Sequence, residues 1–169
     1  MRCAYWRRVP ELSTILSLAA WIVGTSLAAI SGAVTAKTAA EFYGRLDRPS
    51  WSLPAWLFGP AWTVLYVLMA VAAWRIWREF GFDGARNELI LYFVQLALNA
   101  AWSWFFFVKR SGVLATVEVS MLLTAVIATM AAFWLRDPVA GMIFVPYVAW
   151  VSFATALTVS VWRRNPELL

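Results

Sequence analysis

The chain has 169 residues, a formal charge of +5, 63% hydrophobic side chains and only 14% charged ones. A soluble domain of this length would be roughly half apolar and about a quarter charged, so the composition excludes an ordinary soluble domain and indicates an integral membrane protein. With one cysteine, Cys3, and no histidine, an intrachain disulfide is excluded, and the commonest general base, metal ligand and haem ligand are all missing.

Arg2, Arg7 and Arg8 precede the first apolar run, Leu12–Val34, and the small residues of "SGAVTA" close it. That is roughly a signal-peptide layout, but an apolar stretch of about 23 residues exceeds the usual h-region of about 7–15, so a retained membrane helix is expected. Residues 35–53 form the one long connection, rich in turn formers and charge. Four further apolar runs follow, Pro54–Ile76, Leu89–Val108, Val113–Leu135 and Val139–Trp162. Each suffices for the roughly 20 helical residues that span a hydrocarbon core. Runs this long are not barrel strands, and only helices or closed barrels satisfy their backbone in lipid. The expected fold is therefore all-α: one integral membrane domain over residues 1–169, built as a five-transmembrane-helix bundle. Pro54 fits the first turn of the second helix with Ser52 as a cap, while Pro60 should kink or loosen it.

The basic residues sit in ones and twos between apolar runs, where a membrane protein places them, and no nucleic-acid partner is expected. Seven fall on each side of the membrane, so loop charge selects no orientation.

Threading the spans at 1.5 Å per residue fixes relative depth beneath the long loop. Trp62 lies about 12 Å down, Asn99 about 14 Å, Trp102 and Ser103 about 8–9 Å, Trp150 about 18 Å and Glu118 about 8 Å. Helical spacing groups Phe58, Trp62, Tyr66 and Met69 on the second helix, Gln95, Asn99, Trp102 and Ser103 on the third, and Tyr147, Trp150 and Ala154 on the fifth. Packed faces give the same stripes, but buried amides need partners, so Gln95 and Asn99 should face the bundle. Asn99 fits a contact to a neighbouring helix as well as it fits a ligand. Glu118 is close enough to its interface for pairing with a loop arginine or water, and that structural role is the expectation. Trp6, Trp56, Trp74, Trp77, Trp134 and Trp162, near span ends, are expected to anchor at the interface. Trp21, Trp62, Trp102, Trp104 and Trp150 lie deeper and divide between packing and a pocket. Ala97 and Ala101 form a small-xxx-small pair suited to close helix approach.

The stretches "FYGRLDRPSWSLPAWLFGPAWTVLY", "LALNAAWSWFFF", "LATVE" and "VPYVAWVSFAT" resemble the translocator protein family, also called tryptophan-rich sensory proteins or peripheral-type benzodiazepine receptors. The resemblance runs from about Phe42 to Trp162; the first helix matches only in length and character. It implies a five-helix bundle, often a homodimer, with a pocket under the first loop for porphyrins, sterols and synthetic aromatic ligands. Carried over by motif, Tyr43 and Trp51 fall in the covering loop, and Trp62, Tyr66, Asn99, Trp102, Ser103, Trp150 and Ala154 fall on pocket positions. Trp62 and Trp150 match tryptophans implicated in light-dependent porphyrin breakdown. Leu53 replaces the first of two consecutive prolines, and Thr158 a common asparagine. Val159 and Ser160 stand at tyrosines of the proposed cholesterol motif, which argues against sterol recognition through the last helix.

The expectation is a multi-pass membrane receptor or carrier for tetrapyrroles and similar flat hydrophobes. Its ligand-binding residues are Tyr43, Trp51, Trp62, Tyr66, Asn99, Trp102, Ser103, Tyr147, Trp150 and Ala154, with Arg45 and Arg48 near the ligand's carboxylates. No metal or obligatory cofactor is expected, porphyrin being the ligand. Two alternatives stand beside it. One is light-dependent porphyrin oxidation at Trp62 and Trp150, for which no conventional acid–base pair or nucleophile is needed. The other is a ligand-sensing regulatory or transport adaptor, although no nucleotide loop or inverted repeat argues for active transport.

Overall fold

The computed structural model describes residues 11–28, 30, 39 and 41–169. The N-terminal arginines, Trp6, Lys37 and the end of the first predicted span at Val34 lie outside the described residues. Within the described residues five long helices follow one another: α1 (Glu11–Leu27), α2 (Ala55–Gly84), α3 (Arg86–Ser103), α4 (Gly112–Arg136) and α5 (Pro138–Arg164). Residues 41–45 form a further helical stretch in the first loop, and α3 runs on through a π-helical segment, Trp104–Val108. Among the described residues there is no strand. Four helices are long and apolar enough to cross a membrane, and Ser13–Leu27 is a shorter apolar helix beside them. The chain is a multi-pass integral membrane protein.

The helices are arranged around the bundle in the order α1, α2, α5, α4, α3. The ring closes where Trp21 packs edge-on against Tyr92, and Thr25 hydrogen-bonds the Tyr92 hydroxyl at 2.6 Å. Both partners are buried, as a hydroxyl removed from water requires.

The connections after the first loop are short, and local chemistry explains each. Gly81, at φ 68° and ψ 179°, occupies a region essentially reserved for glycine, and this corner lets α2 fold back into α3 through Ala85. The Ser111 hydroxyl caps α4 by accepting from the Leu114 amide at 3.4 Å. Asp137, extended, caps α5 by accepting from the Val139 amide at 2.9 Å, with Pro138 just inside the helix where its missing N–H is harmless. Glycines then set the α4–α5 approach. A Cβ on Gly112 would lie 2.0 Å from the Trp162 ring, and one on Gly141 2.7 Å from the Trp134 backbone.

Three expectations fail. The helix predicted to stop at Ile76 runs on to the corner at Gly81, because Arg75, Arg78 and Glu79 leave an apolar environment without leaving the helix. Pro60 does not break α2, whose backbone is helical throughout except at Gly81. The proline's missing N–H deprives only the Trp56 carbonyl in the first turn. Ser52 is not the cap: Pro54 holds that position, with no side-chain bond.

Two ion pairs close the end remote from the first loop. Arg75 Nε lies 2.7 Å from Asp137 Oδ2, tying α2 to the α4–α5 turn. Arg136 Nε lies 2.7 Å from Glu88 Oε1, tying α4 to α3. Burial alone would raise the Asp137 carboxyl. Hydrogen bonds from Arg75 and the Val139 and Ala140 amides, with the Arg75 charge, outweigh it and hold the group below its ordinary value.

Candidate functional site

The half of the bundle next to the first loop holds a continuous array of rings. Trp51, 48% exposed in the loop, meets Phe153 edge-on at 5.8 Å, and Phe153 meets Trp150 at the same separation. Trp150 stands edge-on to Trp62 at 6.2 Å and to Phe58 at 5.7 Å. Phe58 in turn meets Tyr43 at 5.7 Å, and Trp62 continues the array to Tyr66 at 5.7 Å and Tyr147 at 6.3 Å. The spacing along each helix explains the alignment: Phe58, Trp62 and Tyr66 are four apart, and Tyr147, Trp150 and Phe153 are three apart, which stacks each set on one face.

Beneath the rings runs a buried polar chain. The Tyr66 hydroxyl donates to Asn99 Oδ1 at 2.5 Å, Asn99 Nδ2 donates to the Tyr147 hydroxyl at 3.1 Å, and that hydroxyl donates to Gln95 Oε1 at 2.9 Å. Gln95 Nε2 completes the chain against Met69 Sδ at 3.8 Å. Three helices, α2, α3 and α5, are thereby joined through Asn99. In a membrane interior, an amide's alternative would be an unsatisfied polar group in hydrocarbon, which fixes these side chains inward.

The loop is held over this array. Phe42, Tyr43 and Leu46 are buried against Phe106, Leu157 and Val161, and the Tyr43 hydroxyl reaches the Leu53 carbonyl at 3.4 Å. The Arg48 guanidinium lies 4.7 Å from the Tyr43 ring centre, and that of Arg110 4.7 Å from Phe42. Arg45 is exposed. Asn165, just past α5, bonds both the N–H and the carbonyl of Asp47.

The structure thus brings Tyr43, Trp51, Trp62, Tyr66, Asn99, Tyr147 and Trp150 into one connected set. Trp102 makes no ring contact to those residues but stacks on Phe106 at 5.5 Å and 19°, within the cluster that holds Tyr43, Phe58 and Phe153. Ser103 is half-buried and Ala154 buried, without a polar or ring contact to the array. Phe153 and Asn165 were missed. Phe153 was discoverable, because it follows Trp150 by three residues on the same face. Nothing in the sequence advertises Asn165, whose partner is backbone.

Several tryptophans have other duties than expected. Trp56 is 72% exposed and Trp134 45% exposed, as interfacial anchors are. Trp74 instead donates from Nε1 to the Ser17 hydroxyl at 3.1 Å, and Trp162 fills the space left by Gly112. Trp21 and Trp77 pack together at 6.2 Å, within the cluster that includes Tyr92. The indole N–H groups of Trp102 and Trp150 are buried without an acceptor, which is uncommon for tryptophan. Glu118 is buried too and neither of its oxygens has a partner, so the expected pairing with a loop arginine is not made.

Fold and array together define a helical multi-pass membrane protein whose aromatic residues converge beneath its first loop. Comparison with known proteins makes the assignment specific. A model of the TspO/MBR family matches residues 10–163, and the chain belongs to that family. It is 39% identical over 127 residues to the translocator protein of Homo sapiens, covering 74% of this chain and 75% of the relative. To the tryptophan-rich sensory protein of Cereibacter sphaeroides it is 39% identical over 125 residues, 74% and 77% of the two chains. Protein CrtK of Rhodobacter capsulatus is 38% identical over 150 residues, 88% of this chain and 92% of that one.

Proposed function

We propose that the protein is a membrane receptor or carrier that binds porphyrins and related flat hydrophobic molecules against the aromatic array under its first loop. The observation that carries this reading is the unbroken run of rings from Trp51 to Tyr66, with the buried Trp150 N–H beside it still lacking an acceptor. A porphyrin offers two apolar faces and polar edges. Indole stacking contributes about 0.5–1.5 kcal/mol per aromatic pair beyond area burial. Burying roughly 400 Å² of apolar surface contributes about 10 kcal/mol gross. Association and ordering costs consume much of it, leaving affinity of micromolar order. Arg48, over Tyr43, and the exposed Arg45 face the propionates, so alanine at both should weaken binding; unchanged affinity would reverse the ligand's orientation.

The test is a titration of the full chain in nanodiscs with protoporphyrin in the dark, following tryptophan quenching. Wild type should quench saturably and a Trp62→Phe/Trp150→Phe double variant should bind more weakly. Signal matching empty discs would overturn the reading. Since no histidine is available as an iron ligand, metal-free protoporphyrin should bind about as well as haem, and a strong preference for haem would refute that basis of selectivity.

A second reading is favoured by the Trp62–Trp150 contact, edge-on at 6.2 Å. Two oxidisable rings beside a bound sensitiser suit light-driven oxidation of the porphyrin by dioxygen. Loss of bleaching in Trp150→Phe, with dark binding retained, would support it; bleaching at the wild-type rate would reject it. A homodimer through the outer face of α3 is also proposed, because Ala97 is exposed there together with Ile90, Phe93 and Val94. Cross-linking that yields only monomer would remove it.

A further inference from the structure

Glu118 stands six residues past the start of α4, about 9 Å along the helix axis, and is 6% exposed. Its helical neighbours on the same face, Ala115 and Leu122, belong to the two apolar clusters of the bundle. Neither carboxyl oxygen has a hydrogen-bond partner.

The groups packed around α4 are committed elsewhere. From α3, Asn99 bonds Tyr66 and Tyr147, and Gln95 bonds Tyr147 and Met69. From α5, the Tyr147 hydroxyl is already spent, accepting from Asn99 and donating to Gln95. From α2, Tyr66 donates to Asn99. The π-helical segment offers apolar side chains. Lys109 lies over Trp104 and Arg110 over Phe42, while Arg136, at the far end of α4, is paired with Glu88. The unpaired indole N–H groups of Trp102 and Trp150 do not reach the carboxyl either. A carboxylate cannot stand in such a place without a cation or donors; it takes up a proton instead.

We propose that Glu118 is a proton-binding site of the bundle interior, a neutral carboxylic acid while the bundle is closed, and that its proton is linked to occupancy of the aromatic array. The residues one turn to either side of Glu118 join the two: Ala115 belongs to the cluster that holds Tyr43 and Phe58, and Leu122 to the one that holds Tyr66, Tyr147 and Trp62. A flat hydrophobe on the rings excludes water from that region and makes ionisation at Glu118 harder. By reciprocity, ionised Glu118 weakens the ligand. This second half rests on the proposed porphyrin reading; the first half does not.

Infrared spectra of the full chain in nanodiscs at neutral pH, without ligand, test the first half. Wild type should show the carbonyl stretch of a protonated carboxylic acid, absent from Glu118→Gln and retained in Glu88→Gln, because Glu88 is an ion-paired carboxylate. Should Glu118→Gln not assemble, Glu118→Asp takes its place and should shift the band; Glu41, Glu79 and Glu167 are exposed and Glu88 is ion-paired. No such band, or one that survives in Glu118→Gln, overturns the proposal. Protoporphyrin affinity as a function of pH tests the second half. Wild-type affinity should fall at least about fivefold on raising the pH through ionisation of Glu118, whereas Glu118→Gln should stay flat at the low-pH value. A pH dependence unchanged in the variant breaks the linkage. Failure of protoporphyrin to bind at all would remove the functional reading and the linkage with it, leaving the infrared result to stand or fall alone.

Discussion

Asn165 holds the backbone of Asp47 from both sides. The Asp47 amide donates to Asn165 Oδ1 at 2.9 Å, and Asn165 Nδ2 donates to the Asp47 carbonyl at 2.9 Å and to the Val161 carbonyl at 2.8 Å. The residue that ends α5 therefore fastens the first loop, and Arg164 adds a looser contact to the Asp47 carboxylate at 3.6 Å. The carboxylate is exposed, so that ion pair contributes little.

Asn165→Ala strips the partners from both backbone groups of Asp47, while the Val161 carbonyl keeps the Asn165 amide. A loss of about 1–3 kcal/mol is expected, together with faster proteolytic cleavage within residues 41–53. Arg164→Gln should leave both nearly unchanged. Equal effects of the two substitutions would show that charge, not the amide, retains the loop.

Asn99 is the junction of the polar chain. Interhelical hydrogen bonds in membranes contribute about 0.6 kcal/mol each on average, because the unfolded helices find other partners in lipid. Tyr66→Phe should therefore cost only about 0.5–1 kcal/mol, and Asn99→Leu, which breaks two bonds, about 1–2 kcal/mol. Unfolding in mixed micelles of increasing denaturing-detergent fraction measures both. An Asn99→Leu variant as stable as wild type would show that the chain confers position and not stability.

Gly112 and Gly141 should tolerate no methyl group. Each Cβ would fall within 2.8 Å of Trp162 or Trp134 atoms, and overpacking of this kind costs about 1–3 kcal/mol. Gly141→Ala should be the worse, since it meets the Trp134 backbone and the Trp162 ring can move. Reversal of that order in thermal unfolding would mean that α4 and α5 slide to relieve the clash.

Acid should loosen the far end of the bundle. The folded Asp137 carboxyl lies below its ordinary value of 3.8, so its stabilisation is fully present above that value. It is lost as the pH falls through the lower folded value. Thermal unfolding followed from neutral pH downward should show this acid-dependent loss in wild type and a smaller one in Asp137→Asn. Parallel curves would place the acid sensitivity elsewhere.

Much of this was readable from residue spacing. Phe58, Trp62 and Tyr66 repeat every four positions, and the need of a buried amide for partners turned Asn99 inward toward Tyr66 and Tyr147. The burial of Glu118 follows from rotation about the helix axis and not from depth along it. The same periodicity that places Ala115 and Leu122 in the core places Glu118 between them. The cost of Pro60 depends on which carbonyl it orphans, and here that carbonyl belongs to a first-turn residue. The Asn165 clasp was not legible, since its partners are backbone groups 118 residues away and carry no side-chain signature.

The two ends of the bundle are fastened by different means. At one end Arg75 and Arg136 reach carboxylates at 2.7 Å across three helices. At the other, the loop rests on arginine–ring contacts, packed rings and one amide clasp. Such a body is fastened like a clothes-peg, with its jaws at the loop and its spring at the ion pairs, so a ligand bound as proposed would part the jaws and leave the spring closed.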